Sequence, residues 1–132
     1  MIGADTNVLL RLFVVDDPKQ SEMARTFFAS RSPADPAFLS LVAIVELVWL
    51  LRDGYEFEYA ATVEALFKLL SSPDFVIERR DLVAEAVALA GERKIDFADY
   101  FIAGVSIEAG CSSVVTFDQP ASRRVPGMEL LK

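Results

Sequence analysis

Apolar and polar residues follow two patterns along the chain. Short apolar runs bounded by turn-forming or charged residues are typical of buried strands, whereas apolar residues three or four positions apart are typical of helices. The short runs predict strands at 1–4, 37–40, 75–78, 113–117 and 128–131. The helical spacing predicts helices at 7–15, 17–30, 41–52, 59–70, 82–90 and 97–109.

This order of elements predicts the fold class. Short strands that alternate with helices indicate a mostly parallel sheet with helices on both faces. We therefore predict an α/β fold, a three-layer α/β/α sandwich around a mostly parallel sheet of four or five strands. No internal repeat, low-complexity tract or Gly/Ser-rich linker divides the sequence, so we predict a single domain over residues 1–132.

The composition removes several classes of catalytic site. The 132 residues include no histidine and one cysteine, Cys111. Without histidine the chain cannot form a Ser-His-Asp or Cys-His triad, a histidine-dependent nuclease site or the usual zinc hydrolase site. A lone cysteine cannot form an internal disulfide, which favours the reducing cytoplasm. Any catalysis must use carboxylates, hydroxyls, Lys, Arg or Tyr.

The charge balance limits the kinds of partner. The chain has 13 Lys and Arg against 20 Asp and Glu residues, a net charge of −7. This argues against nonspecific coating of nucleic acid, which needs a broad basic surface, but does not exclude a local nucleic-acid site. We expect no signal peptide, because the N-terminus lacks a cationic start. We also expect no membrane span, because the longest apolar run, 37–51, is shorter than about 20 residues and contains Glu46.

Two acidic residues in the first half occupy unusual positions. Asp5 follows the first predicted strand, at the sheet edge where open α/β proteins bind ligands, and the alternative is that it only caps the next helix. Glu46 interrupts the apolar residues 41–51. A helix that is apolar all round is normally buried, so Glu46 needs a metal ion, a cation or a cleft beside it. The alternatives are a position at the helix rim or a pairing with Arg11.

Two more acids lie near the start of the predicted helix 97–109. Asp96 and Asp99 fall on one helical side together with Ala103. The small Ala103 side chain would leave room in front of the two carboxylates. Asp96 could instead act only as the N-cap of the helix.

A further acid ends the predicted strand 113–117. Asp118 and Thr116 lie on the same side of that strand, because side chains alternate between its two faces. The alternative is that Asp118 forms a turn before Gln119-Pro120.

The predicted topology gathers Asp5, Glu46, Asp99 and Asp118 at one end of the sheet. Two ionised carboxylates about 4 Å apart repel by roughly 4 kcal/mol at an effective dielectric near 20, so such a cluster would protonate or bind a cation. Oxygen ligands without histidine or thiolate favour Mg²⁺ or Mn²⁺. Because such an ion binds phosphate and acidifies water, the cluster predicts phosphodiester hydrolysis.

Four motifs surround these acids: ADTNVLLRL at the start, VEL at Glu46, DFADYFIAG at Asp99 and TFDQPASR at Asp118. Together they resemble the motifs of PIN-domain ribonucleases, specifically VapC-type toxins of bacterial toxin–antitoxin pairs. The resemblance spans nearly the whole chain, in order and at family-like spacing. The chain departs from the family pattern at Tyr100, where many relatives carry a small residue.

The resemblance implies a PIN-like fold and an Mg²⁺- or Mn²⁺-dependent endoribonuclease that cuts RNA, typically tRNA or an rRNA loop. Carried over by position, the catalytic residues are Asp5, Glu46, Asp99 and Asp118. Asp5 and Asp99 would be the main metal ligands and the other two secondary. The supporting residues would be Thr6, Asn7, Asp96 and Thr116. The family also implies a homodimer and inhibition by a cognate VapB-type antitoxin.

Basic residues are sparse, and Arg123-Arg124, just beyond Asp118, are the pair that we predict to contact the RNA backbone. Surface positions with no binding role remain the alternative for them.

Two other functions remain open. A phosphotransfer or phosphatase-type domain also carries aspartates at strand ends, although Asp5-Thr6-Asn7 lacks the second Asp of the dehalogenase-like pattern. A non-catalytic PIN module would bind only RNA or protein, and the intact set of acids argues against it.

Overall fold

Seven α-helices and five short strands make up the chain in a computed structural model that describes residues 1–132. The strands are β1 (Ile2–Gly3), β2 (Ala37–Leu39), β3 (Phe75–Ile77), β4 (Val114–Thr116) and β5 (Met128–Leu130). The helices are α1 (Thr6–Leu10), α2 (Pro18–Ala29), α3 (Leu41–Trp49), α4 (Tyr59–Ser71), α5 (Arg80–Ala90), α6 (Phe97–Glu108) and α7 (Gln119–Arg124). None of these helices combines the length and apolar character that crossing a bilayer requires.

The elements form two compact units, Met1–Arg80 and Asp81–Lys132. In the first unit, β1, β2 and β3 pair in parallel and in that order. Because parallel strands end at the same edge of a sheet, the residues that follow them come to one edge: Asp5, Ser40 and Glu78. The α/β class and the parallel pairing are thus confirmed in this unit.

The core of the first unit follows from the helical spacing of the apolar residues. The fully buried side chains with 0% exposure include Leu9, Leu39, Ile44, Leu47, Leu51 and Leu66. Predicted helices at 17–30 and 59–70 are confirmed to within a residue at each end. The pair Asp17-Pro18 is typical of a helix start, and the Asp17 carboxylate caps α2 by accepting from the Gln20 amide at 3.0 Å.

The first helix is shorter than the predicted range 7–15. It ends at Leu10, and the chain continues through tight turns in which Phe13 N donates to the Leu10 carbonyl at 2.9 Å. The apolar run misled the prediction because Val15 is 67% exposed and does not join the core. Valine also has a low helix propensity, which favours an early end.

The predicted helix 41–52 is present with a different ending. It is α-helical as α3 and then continues as a π-helix, Leu50–Gly54. The helical segment ends at Gly54, a residue that favours helix ends, and its last turn is wider than an ordinary α-helical turn.

In the second unit, β4 and β5 pair in parallel as a two-stranded sheet. A buried cluster of Ala103, Ala121, Val125 and Met128 lies beside this sheet. All five predicted strands are thus present, divided between a three-stranded and a two-stranded sheet. The single domain over residues 1–132 stays a prediction.

A helix in the second unit was not predicted. The alternative given for Asp118 was a turn before Gln119-Pro120, whereas α7 begins at Gln119 and extends to Arg124. Asp118 is its N-cap and the proline occupies its first turn, where the missing N–H costs no hydrogen bond.

Gly127 offers a test of this packing. Its φ is +90°, and a Cβ added there would lie 3.2 Å from Cγ1 of Ile107. We expect Gly127→Ala to lower the free energy of unfolding by about 1–2 kcal/mol, from backbone strain and crowding together. Urea denaturation measures the loss.

Gly110→Ala is the matched control, because Gly110 has φ +106° but open space around an added Cβ. That substitution carries the strain alone. If Gly127→Ala proved no more destabilising than Gly110→Ala, the contact with Ile107 would contribute nothing.

Candidate functional site

Asp5 stands where the chain leaves β1 and enters α1. Its Oδ1 accepts a hydrogen bond from the Val8 amide at 3.1 Å, so the N-cap alternative is correct as a structural description. The side chain is exposed, and this bond engages one of its two carboxylate oxygens. Capping and ligand binding are therefore compatible, and the cap fixes the orientation of the carboxylate.

Glu46 lies on α3 but not in a buried setting, so the expectation of an all-round buried helix is wrong. Glu46 is exposed, and so are its neighbours along the same helical face, Val42 at 67% and Trp49 at 62%. The opposite face carries the buried Ile44 and Leu47. Only one face of α3 is buried although both faces are apolar. The Glu46 carboxylate is on the exposed face, so it carries no desolvation penalty that a metal ion or cation would have to offset.

A cavity of about 420 Å³ brings Asp5 and Glu46 together. Its lining includes the hydroxyl-bearing residues Thr6 and Ser40, and it lies at the edge where β1 and β2 end. The predicted cleft beside Glu46 is thus present. Asn7 does not line this cavity but a second one of about 450 Å³, which also reaches Asp5.

Arg11 does not pair with Glu46, contrary to one alternative. Its guanidinium donates to Asp16, and the Tyr55 hydroxyl donates to the same carboxylate. The hydrogen bond from Tyr55, followed by the charge of Arg11, lowers the pKa of Asp16. The same contact with Asp16 raises the pKa of Tyr55.

The second unit holds the other three acids. Asp99 lies in the first turn of α6 and is half-buried. Burial raises the pKa of Asp99, and the negative charges of Asp96 and Asp118 raise it further. The Asp96 carboxylate caps α6 by accepting from the Asp99 amide at 3.0 Å. The charges of Asp96 and Asp118 therefore disfavour the ionised form of Asp99.

Asp118 and Thr116 are linked by a local hydrogen bond. The Asp118 amide donates to Thr116 Oγ1 at 3.0 Å, and the Asp118 carboxylate accepts from the Ala121 amide at 3.0 Å. Thr116 therefore fixes the backbone at Asp118, while α7 fixes its side chain. A supporting role of Thr116 in catalysis stays a prediction.

Two residues of the DFADYFIAG motif lie in or against the buried cluster of the second unit. Ala103 is only 1% exposed and packs in the cluster with Ala121, Val125 and Met128, so it does not open space in front of the acids. Tyr100 packs against the same cluster, and its hydroxyl donates to Glu85 at 3.4 Å. Burial, followed by the Glu85 charge, raises the pKa of Tyr100.

The structure thus brings together Asp5 with Glu46 in the first unit, and Asp99 with Asp96 and Asp118 in the second. No group of three acidic, cysteine or histidine side chains is close enough to surround a metal ion. The gathering of Asp5, Glu46, Asp99 and Asp118 at one site stays a prediction. Mg²⁺ is commonly held by one or two carboxylates with water and substrate phosphate, so each group alone suits such an ion.

One acid that the sequence reasoning missed is Glu78, just after β3. Its Oε1 accepts a hydrogen bond from the Leu41 amide, the first of α3, at 2.8 Å. The available signal was its position: Glu78 is an acid at the end of the predicted strand 75–78, much as Asp5 directly follows the predicted strand 1–4.

The two predicted RNA contacts are accessible. Arg123 and Arg124 are exposed in the last turn of α7, and Arg123 Nε donates to the Gln119 carbonyl of its own helix at 3.4 Å. Their side chains lie on the helix that Asp118 caps. Binding of RNA by this pair stays a prediction.

Comparison with known proteins gives two matches. The family model described as PIN domain matches residues 3–125, a range that extends over both units. The chain is also similar to the VapC ribonuclease of Aquifex aeolicus (strain VF5), with 26% identity over 113 residues. This alignment covers 86% of the chain and 84% of that protein. No solved structure matches.

Proposed function

The chain belongs to the PIN-domain family, and on this premise we propose that it is a VapC-type ribonuclease toxin that hydrolyses RNA phosphodiester bonds with Mg²⁺ or Mn²⁺. The main structural support for this proposal is the cavity that Asp5 and Glu46 share at the carboxyl edge of the strands. The similarity to a protein named VapC ribonuclease supports RNA as the substrate class. Membership of this family also argues against a phosphotransfer domain.

The donors around the proposed site suit a hard divalent cation. Carboxylates and hydroxyls line the cavity at Asp5, Glu46, Thr6 and Ser40, with no sulfur or nitrogen side chain among them. Oxygen donors of this kind favour Mg²⁺ and Mn²⁺ over zinc or copper. When bound, such an ion neutralises charge on the phosphate and makes water more acidic.

We assign the roles as follows. Asp5 and Asp99 are the main metal ligands, and Glu46 and Asp118 are secondary. Thr116 holds the backbone at Asp118, and Asp96 orients the start of α6. Thr6 contributes a polar wall beside Asp5.

The proposed biology includes RNA, an antitoxin and a second copy. We propose tRNA or an rRNA loop as the substrate, a VapB-type antitoxin as the inhibitor, a homodimer as the active form and the cytoplasm as the location. Sequencing of RNA ends after induced expression identifies the substrate. Co-expression with the antitoxin candidate should abolish those ends, and light scattering gives the oligomeric state.

Removal of metal is the direct test of the mechanism. We expect the purified protein to cleave RNA in the presence of Mn²⁺ or Mg²⁺, to stop when EDTA is added, and to resume when Mn²⁺ is restored in excess. Gel electrophoresis of a labelled RNA follows the cleavage. RNA binding without cleavage under all metal conditions would instead indicate a non-catalytic PIN module.

A further inference from the structure

Glu78 connects the sheet to the helix that carries Glu46. Its own amide donates to the Leu39 carbonyl at 2.9 Å, which continues the pairing of β2 with β3 by one residue. Its Oε1 accepts from the Leu41 amide at 2.8 Å across 37 positions of sequence. One residue therefore bonds to the chain on both sides of Ser40, where β2 passes into α3.

The start of α3 has two separate caps. Ser40 accepts from the Ala43 amide at 3.1 Å, and Glu78 accepts from the Leu41 amide. Most helices rely on one residue next to their start for this purpose. A carboxylate from another strand adds favourable charge at the positive end of the helix and ties that end to the sheet.

The hydrogen bond between Glu78 and Leu41 affects the distance between Asp5 and Glu46, the two acids of the cavity. Glu46 follows Leu41 by five residues, roughly 7.5 Å along the helix axis, within a rigid element. Asp5 is fixed to the same sheet, because the amide of Ala4 donates to the Phe38 carbonyl at 3.0 Å. The position of Glu46 relative to Asp5 therefore depends on how α3 is anchored to β2 and β3.

We propose that Glu78 is a positioning residue, which holds Glu46 at the cavity it shares with Asp5 through its bond to the first amide of α3. The role rests on the proposed metal-dependent function. Glu78 does not line the cavity and does not touch the metal in this proposal. It acts through the placement of Glu46.

The test compares Glu78→Ala with Glu78→Gln, which keeps an oxygen acceptor for the Leu41 amide. We expect Glu78→Ala to speed hydrogen exchange at Leu41, to weaken Mn²⁺ binding roughly tenfold, and to lower kcat about as much with little change in KM. Glu78→Gln should restore most of each value. Calorimetry with Mn²⁺ alone measures the binding without RNA.

Asp17→Ala is the matched control, because it removes a comparable cap from α2. It should lower the melting temperature to a similar extent and leave the Mn²⁺ Kd and kcat unchanged. A second comparison uses Glu46→Gln: in that background Glu78→Ala should no longer weaken Mn²⁺ binding, since its effect passes through Glu46.

Two results would overturn the role. If Glu78→Ala lowered the melting temperature but left Mn²⁺ binding and kcat at wild-type values, Glu78 would be a structural cap only. An undiminished effect in the Glu46→Gln background would show that Glu78 does not act through Glu46. A wild-type protein that binds no Mn²⁺ and cuts no RNA would reject the proposed function itself, and this role with it.

Discussion

Asp99→Asn is expected to reduce RNA cleavage by more than about 100-fold. Loss of a residue that only supports a metal ligand typically costs about 10- to 100-fold, and loss of the ligand itself should cost more. Asparagine matches aspartate in size but removes the negative charge of the carboxylate that we propose as a metal ligand. Asp99 is already half-buried among the charges of Asp96 and Asp118, so its neutralisation relieves repulsion in the metal-free protein. Cleavage should disappear while the melting temperature without metal stays the same or rises.

The control for this loss is Asp53→Asn, which changes an exposed acid of another segment in the same way. It should leave cleavage and stability at wild-type values. Full cleavage by Asp99→Asn would reject the assignment of Asp99 as a metal ligand.

Asp5 allows its two roles to be separated. Asparagine is as good an N-cap as aspartate, whereas alanine removes the cap and costs about 1 kcal/mol. Asp5→Asn should therefore lose cleavage at normal stability, and Asp5→Ala should lose both. Equal cleavage by wild type and Asp5→Asn would leave Asp5 with only its capping bond to Val8.

The second large effect is expected from Arg123→Ala/Arg124→Ala. If both guanidinium groups contact RNA phosphates, their loss weakens binding roughly tenfold and reduces the slope of log K against log salt by about 1.4 for single-stranded RNA. The Asp99→Asn background and EDTA prevent cleavage during the measurement. Fluorescence anisotropy of labelled RNA across a salt series gives the slope.

Arg123→Lys/Arg124→Lys is the matched control for that slope, because lysine keeps the charge and the exposed position. It should preserve the salt dependence of the wild type. If the double alanine variant kept the wild-type slope, the RNA path would not include the end of α7.

Element types were predictable from the sequence because they depend on local spacing. Every predicted strand is present, and α2, α4 and α6 begin and end close to their predicted bounds. Caps such as Asp17 act through backbone bonds within a few residues. Such bonds are visible as short sequence patterns.

The exceptions arise where an apolar pattern does not report burial. The run 7–15 looked like one buried helix, but Val15 is exposed and α1 stops at Leu10. Glu46 looked buried because both faces of α3 are apolar, yet Val42 and Trp49 remain exposed beside it. Apolarity favours burial but does not say which face of a helix the sheet covers.

The sequence by itself determined which reactive groups this protein has. It contains no histidine, it carries acidic side chains within four motifs, and those motifs indicate the PIN family. These are properties of residue type and short spacing. Only the tertiary structure decided that Asp5 and Glu46 line one cavity, that Ala103 is core, and that Glu78 bonds to Leu41. The physical reason is that such contacts join residues tens of positions apart, and only the packing of helices on the sheet sets them.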